Sequence, residues 1–174
     1  VCDVSQLAAD MGVTKADGSN LDPRPSIILG AQEVTPLAMA NAYATFAAHG
    51  TYCKPIAITA IQDADGKDLK VPEAGCHSVM DSTAADKVAL TLTNVLGKSG
   101  TAPAATLDNR PAAGKTGTTD KMDNAWFVGF TPQLAAAVWM GHSDGYYGMQ
   151  GQYIGGRYYE TMYGSDAPAP LWKT

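Results

Sequence analysis

Three strand-length runs follow one another between residues 113 and 140 with little between them. They are Ala113 to Thr119, Ala125 to Phe130 and Leu134 to Met140. Asp120, Asp123 and Asn124 mark the first link, and Thr131-Pro132 marks the second. A parallel neighbour needs a crossover of about a dozen residues or more, whereas an antiparallel neighbour needs only a turn. The runs therefore predict three antiparallel strands side by side.

Helices precede and follow them. Val4, Leu7, Ala8 and Met11 fall at helical spacing over residues 3 to 12, and Gly12 stops them. Thr35-Pro36 reads as an N-cap and first helical residue, with Leu37, Ala40, Ala44 and Ala47 as the inner stripe and Gly50 as terminator. Ser82 or Thr83 reads as the cap of a second long helix that carries Val88, Leu92, Val95 and Leu96 and closes at Gly97 and Gly100. Between these helices Ile56, Ile58 and Ile61 alternate, which predicts a strand over 56 to 62, a turn at Asp63 to Gly66 and a return through Leu69 and Val71. The Gly- and Tyr-rich tail from Gly141 to Gly164 reads as a long surface loop, and Pro168 to Trp172 as the start of a helix. The 174 residues are enough for one domain with its own core.

Composition excludes several functions. Hydrophobic residues make up 45% and charged residues 17%, a folded composition. A net charge of -5 without a Lys/Arg cluster argues against nucleic acid as a partner. No run approaches the ~18 to 20 apolar residues of a membrane span. Val1-Cys2-Asp3-Val4 lacks the basic segment of a signal peptide and an initiator Met, so the chain is expected to be cut from something longer. Cys2, Cys53 and Cys76 have no metal-ligand spacing with His49, His77 or His142, and neither a metal nor a cofactor is expected.

Chemistry concentrates in Ala113-Gly114-Lys115-Thr116-Gly117-Thr118-Thr119. Gly114-Lys115-Thr116 matches the end of a phosphate-binding loop, but Asn109 stands where that motif needs glycine. The sequel is turn and strand, not the helix whose N-terminus would hold a phosphate. The competing reading is the Lys-Thr-Gly strand of serine acyl-transferases. Such a strand offers its backbone to an extended peptide, as in strand addition. Lys115 supplies a positive charge beside a nucleophile, Gly117 leaves room for substrate backbone, and the hydroxyls of Thr116 and Thr118 can hold a terminal carboxylate. A buried strand that merely happens to read Lys-Thr-Gly is the bland alternative.

The motif has company. Ser26-Ile-Ile-Leu-Gly-Ala-Gln-Glu-Val-Thr-Pro-Leu-Ala-Met-Ala, Arg110-Pro-Ala-Ala-Gly-Lys-Thr-Gly-Thr-Thr, Asn124-Ala-Trp-Phe-Val-Gly-Phe-Thr-Pro, Ala136-Ala-Val-Trp-Met-Gly and Ala167-Pro-Ala-Pro-Leu-Trp-Lys stand in this order. Together they resemble the transpeptidase domain of class A (bifunctional) penicillin-binding proteins. The resemblance implies an α+β fold, a five-stranded antiparallel sheet with helices on both faces, here without its N-terminal strands and nucleophile helix, so that residues 1 to 174 form the C-terminal portion of a single transpeptidase domain. It implies D-alanyl-D-alanine transpeptidation on peptidoglycan stem peptides through a serine acyl-enzyme, and inhibition by β-lactam antibiotics. It also implies an upstream glycosyltransferase domain and a membrane anchor outside these residues, at the outer face of a bacterial cytoplasmic membrane.

The resemblance assigns Lys115 and Thr118 to catalysis, and Thr116, Gly117, Thr118 and Thr119 to substrate binding. Lys115 keeps the site electropositive, and the Thr118 N–H is an oxyanion donor. Trp126 and Phe127 are expected in the core. None of the serines, at 5, 19, 26, 78, 82, 99, 143 and 165, has Lys three residues on or Asn two residues on. The SxxK and SxN motifs are thus expected upstream of Val1, and this chain alone is expected to be inactive. In an exported protein an odd cysteine count suggests one pair, and Cys53 and Cys76 flank the predicted hairpin. Three thiols in a cytosolic protein is the alternative. A β-lactam sensor, a D,D-carboxypeptidase or β-lactamase, and an inactive homologue are the functional rivals.

Overall fold

The computed structural model describes residues 1–174. In chain order its elements are α1 (Cys2–Asp10), α2 (Pro36–Ala47), β1 (Thr51–Tyr52), β2 (His77–Ser78), α3 (Ser82–Thr93), β3 (Ala113–Thr118), β4 (Asn124–Phe130), β5 (Ala135–Gly141), β6 (Gln152–Ile154), β7 (Arg157–Tyr159) and α4 (Pro168–Lys173). The three expected strands form one antiparallel sheet in the order β3-β4-β5. Lys115 lies opposite Val128 and Gly117 opposite Trp126, while Trp126 lies opposite Trp139.

Alternation along the strands sorts their residues to two faces. Lys115, Gly117, Trp126, Val128 and Phe130 share one face, and α2 covers it by setting Tyr43 edge-on to Phe130 at 6.2 Å. Burial pushes the Tyr43 hydroxyl up to about 12. Thr116, Thr118, Ala125 and Phe127 share the other face. There α4 packs, with Trp172 edge-on to Phe127 at 5.3 Å and its indole N–H donated to the Gly129 carbonyl at 3.2 Å. Phe127, Leu96, Ala102, Ala105 and Ala169 form the core on this side. An added Cβ at Gly129 would fall 2.8 Å from the Trp172 ring, so glycine is what lets α4 lie close to β4.

Several expectations are corrected by packing. In α2 the Thr35 hydroxyl accepts the Ala38 N–H at 3.2 Å and Pro36 opens the helix, as expected. The buried residues are Ala42 and Thr45, however, and Leu37 is 65% exposed. Contact with β4 and β5 selects the stripe. The cap of α3 is Asp81, whose carboxylate accepts the Ala84 N–H at 3.1 Å, so Ser82 and Thr83 lie inside the first turn. Aspartate and serine cap about equally well, so which one acts depends on the path of the incoming chain.

No strand forms over 56 to 62. The hairpin survives as a turn in which Leu69 N–H donates to the Ile61 carbonyl at 2.8 Å and Gln62 bridges Asp68. Ile56 and Ile58 are 38% and 50% exposed, because no sheet lies against them to reward the alternation. Just outside it a disulfide joins Cys53 to Cys76, and Cys2 is free. Closing a loop of 23 residues should stabilise by about 3 kcal/mol in the chain-entropy account. Reduction is therefore expected to move the urea midpoint down, and an unchanged midpoint would reject that contribution.

The tail also departs from a plain loop. β6 and β7 pair as a hairpin, and Met149 and Met162 bury themselves against Ala125. Met149 N–H donates to the Met122 carbonyl at 2.8 Å, which ties the tail to the turn between β3 and β4.

Candidate active-site edge

β3 is an edge strand, with β4 on one side and no strand on the other. Thr119 N–H donates to the Asn124 carbonyl at 3.1 Å. In an antiparallel ladder inward and outward pairs alternate. The backbone groups of Gly117 and Lys115 therefore turn toward β4, and the N–H and C=O groups of Thr118 and Thr116 turn to the open side. An extended peptide laid along that side would find donors and acceptors in register.

The side chains follow. Lys115 is exposed and its ammonium curls to the open side, donating to the Thr116 carbonyl at 2.8 Å and lying 3.5 Å from the Thr116 hydroxyl. The ion pairs of the chain are Lys15–Asp22, Arg24–Asp22 and His49–Asp86, so no carboxylate neutralises Lys115. Thr118 accepts the Gly164 N–H on its hydroxyl oxygen at 3.1 Å, which leaves its own hydrogen free. Thr119 lies just past the strand. Its hydroxyl donates to the Asp123 carboxylate and accepts the Asn124 N–H, closing the turn. That hydroxyl, then the Asn124 amide, holds the Asp123 carboxyl below the usual carboxylate range.

Lys115, Thr116 and Thr118 are thus brought to one open edge, whereas the Thr119 side chain is committed to the turn. Gly117 faces the α2 side, where an added Cβ would lie 3.2 Å from the Trp126 Cβ. Glycine there keeps Trp126 close as well as leaving the edge clear, so a valine would also strain the packing. Phe127 is fully buried, and Trp126 leans on Trp139 at 6.3 Å, with the Trp139 indole N–H donated to Asn124 at 2.8 Å. The histidines lie elsewhere: His49 on Asp86, His77 on Tyr52 and His142 on Tyr147. No three His, Cys, Asp or Glu side chains come close enough to hold a metal ion.

Sequence reading missed two residues at this edge. Thr101 sets its hydroxyl 3.2 Å from that of Thr116, and Gly164 lies on the bare backbone of Gly117 and Trp126. Neither stands near the motif in sequence, and no local pattern signals either contact.

An antiparallel sheet covered by helices on both faces, with a Lys-Thr-Gly edge that no carboxylate neutralises, is the arrangement that the resemblance to penicillin-binding transpeptidase domains implied. Residues 10–156 match the penicillin binding protein transpeptidase domain, and the chain belongs to that family. It is similar to penicillin-binding protein 1A of Aquifex aeolicus, at 39% identity over 79% of this chain and 19% of that protein. It is also similar to penicillin-binding protein 1A of Mycolicibacterium smegmatis, at 33% identity over 98% of this chain and 23% of that protein. The chain thus spans about a fifth of the length of these relatives. Among solved structures, Mycobacterium tuberculosis PonA1 in complex with penicillin V matches with a TM-score of 0.78 and 30% identity, over 99% of this chain and 47% of that one.

Proposed function

We propose that residues 115 to 118 form the substrate edge of a serine D,D-transpeptidase that cross-links peptidoglycan stem peptides ending in D-Ala-D-Ala. The observation that carries this reading is the open side of β3, where the Thr116 and Thr118 backbone groups, two threonine hydroxyls and an unpaired lysine meet. The serine nucleophile comes from residues of the same protein outside 1–174. Its oxygen attacks the penultimate D-Ala carbonyl, and the Thr118 N–H steadies the oxyanion. The bond to the terminal D-Ala breaks, its amine leaves with the proton taken from serine, and an acceptor amine then takes the acyl group. Lys115 and the hydroxyls of Thr116 and Thr118 hold the terminal carboxylate. Thr119 contributes by ending the strand at the right place.

β-Lactams would enter the same edge, as penicillin V is bound in the complex of the PonA1 relative. No helix here is long and apolar enough to cross a membrane, so anchoring at the outer face of the cytoplasmic membrane falls to other residues of the protein, as does any glycosyltransferase domain. The Cys53–Cys76 disulfide suits that oxidising location.

The test compares the 174-residue chain with the full-length protein in fluorescent penicillin. The full-length protein should label on a serine outside this segment, and the isolated chain should stay dark. An adduct on any serine of residues 1–174, seen by mass spectrometry, would overturn the assignment.

A further inference from the structure

Thr101 lies in the loop between α3 and β3, and the loop is held rigidly. A Cβ on Gly100 would fall 2.2 Å from the Val95 carbonyl oxygen, so the chain presses against the end of α3 at a point only glycine can occupy. Ala102 is fully buried and donates its N–H to the same Val95 carbonyl at 2.9 Å. Between these anchors Thr101 is exposed, and its hydroxyl stands 3.2 Å from the Thr116 hydroxyl. No local turn or cap accounts for that pairing, which spans 15 residues.

Two hydroxyls in one mutual bond hold two hydrogens and use one. The Thr116 oxygen also faces the Lys115 ammonium at 3.5 Å, a group that can only donate. Either hydroxyl can be the donor in that bond; when Thr101 donates, the Thr116 hydrogen is left to turn to the open edge. Without Thr101, the Thr116 hydroxyl loses that partner and its hydrogen is no longer directed by it.

We infer that Thr101 is a positioning residue for carboxylate recognition, acting through Thr116 and not by touching substrate. This rests on the transpeptidase reading above and adds to it a residue outside the Lys-Thr-Gly strand. The pair would act on the negatively charged carboxylate shared by stem peptides and penicillins, and not on the reacting carbonyl. Its loss should therefore weaken the pre-covalent complex and leave the chemical step unchanged.

The experiment measures acylation of the full-length protein by benzylpenicillin and by its methyl ester, separating the dissociation constant from the acylation rate constant. Thr101→Val should raise the dissociation constant about fivefold, the loss of roughly one hydrogen bond, with the rate constant unchanged. Thr101→Ser should restore it. The methyl ester, having no carboxylate, should show no difference between parent and Thr101→Val. In a Thr116→Val background the Thr101→Val change should add nothing, since contacting residues acting as a unit are not additive. A normal dissociation constant in Thr101→Val, an equal loss with the ester, or a full additional loss on Thr116→Val each overturns the inference. So does a slowed chemical step that Thr101→Ser fails to rescue, which would mark a merely structural role. Failure of the parent protein itself to acylate would instead overturn the transpeptidase reading.

Discussion

In the full-length protein Lys115→Ala is expected to slow acylation by penicillin by roughly 10² to 10⁴, the range of a lost electrostatic or acid–base group, while its melting temperature stays within a degree or two of the parent. The two halves of that expectation have separate physical origins. Lys115 is exposed, and its ammonium bonds only to Thr116, so its removal opens no cavity and strands no partner charge. The stability effect should be that of a surface substitution, within about 0.5 kcal/mol. Its charge, however, has no carboxylate to neutralise it and sits at the edge where an anion would dock. Lys115→Arg keeps the charge but not the compact donor, and should recover part of the rate. Acylation of Lys115→Ala at the parental rate would show that this lysine has no part in the chemistry.

Gly164→Ala is expected to fail in the opposite way, by unfolding more easily and losing acylation with it. A Cβ there would lie 2.1 Å from the Trp126 carbonyl oxygen and 2.8 Å from that of Gly117. Both are backbone atoms of paired strands and cannot swing aside like the end of a long side chain. Forcing them apart should destabilise by about 3 kcal/mol, or roughly 6–12 °C for a domain of this size. The same shift would pull the Gly164 N–H from the Thr118 hydroxyl. Acylation should fall even at temperatures where the variant is folded. A melting temperature equal to the parent's would show that the crossing segment moves freely and does not brace the edge.

Much of the fold was legible because its signals are local. The short links at residues 119–123 and 131–134 leave only antiparallel pairing for β3, β4 and β5. The Thr35-Pro36 start of α2 and the Pro168 start of α4 are set by the capping and backbone chemistry of those residues. The Lys-Thr-Gly segment could be placed on a strand before any coordinates because turn and strand, not helix, follow it.

The errors share one cause: local pattern was asked to report a long-range partner. The isoleucines at 56, 58 and 61 alternate like a strand, but no neighbouring strand exists to make the alternation count. Leu37 stands at helical spacing in α2, yet α2 turns by its contact with Phe130 so that Ala42 and Thr45 face inward. The tail, read as a loop, is anchored by Met149 and Met162, which lie far in sequence from the Ala125 they cover.

Sequence by itself determined the sheet's order and direction, the starts of α2 and α4 and the chemical character of the edge, since each depends on residues within a few positions of one another. Only tertiary structure decided which side of β3 is open, that Thr119 serves the turn, that Thr101 meets Thr116 and that Gly164 braces Gly117. Those facts depend on where segments about 15 and 46 residues apart come to rest, and that is settled by the packing of Phe127, Trp172 and Ala102 in the shared core, which no local pattern encodes.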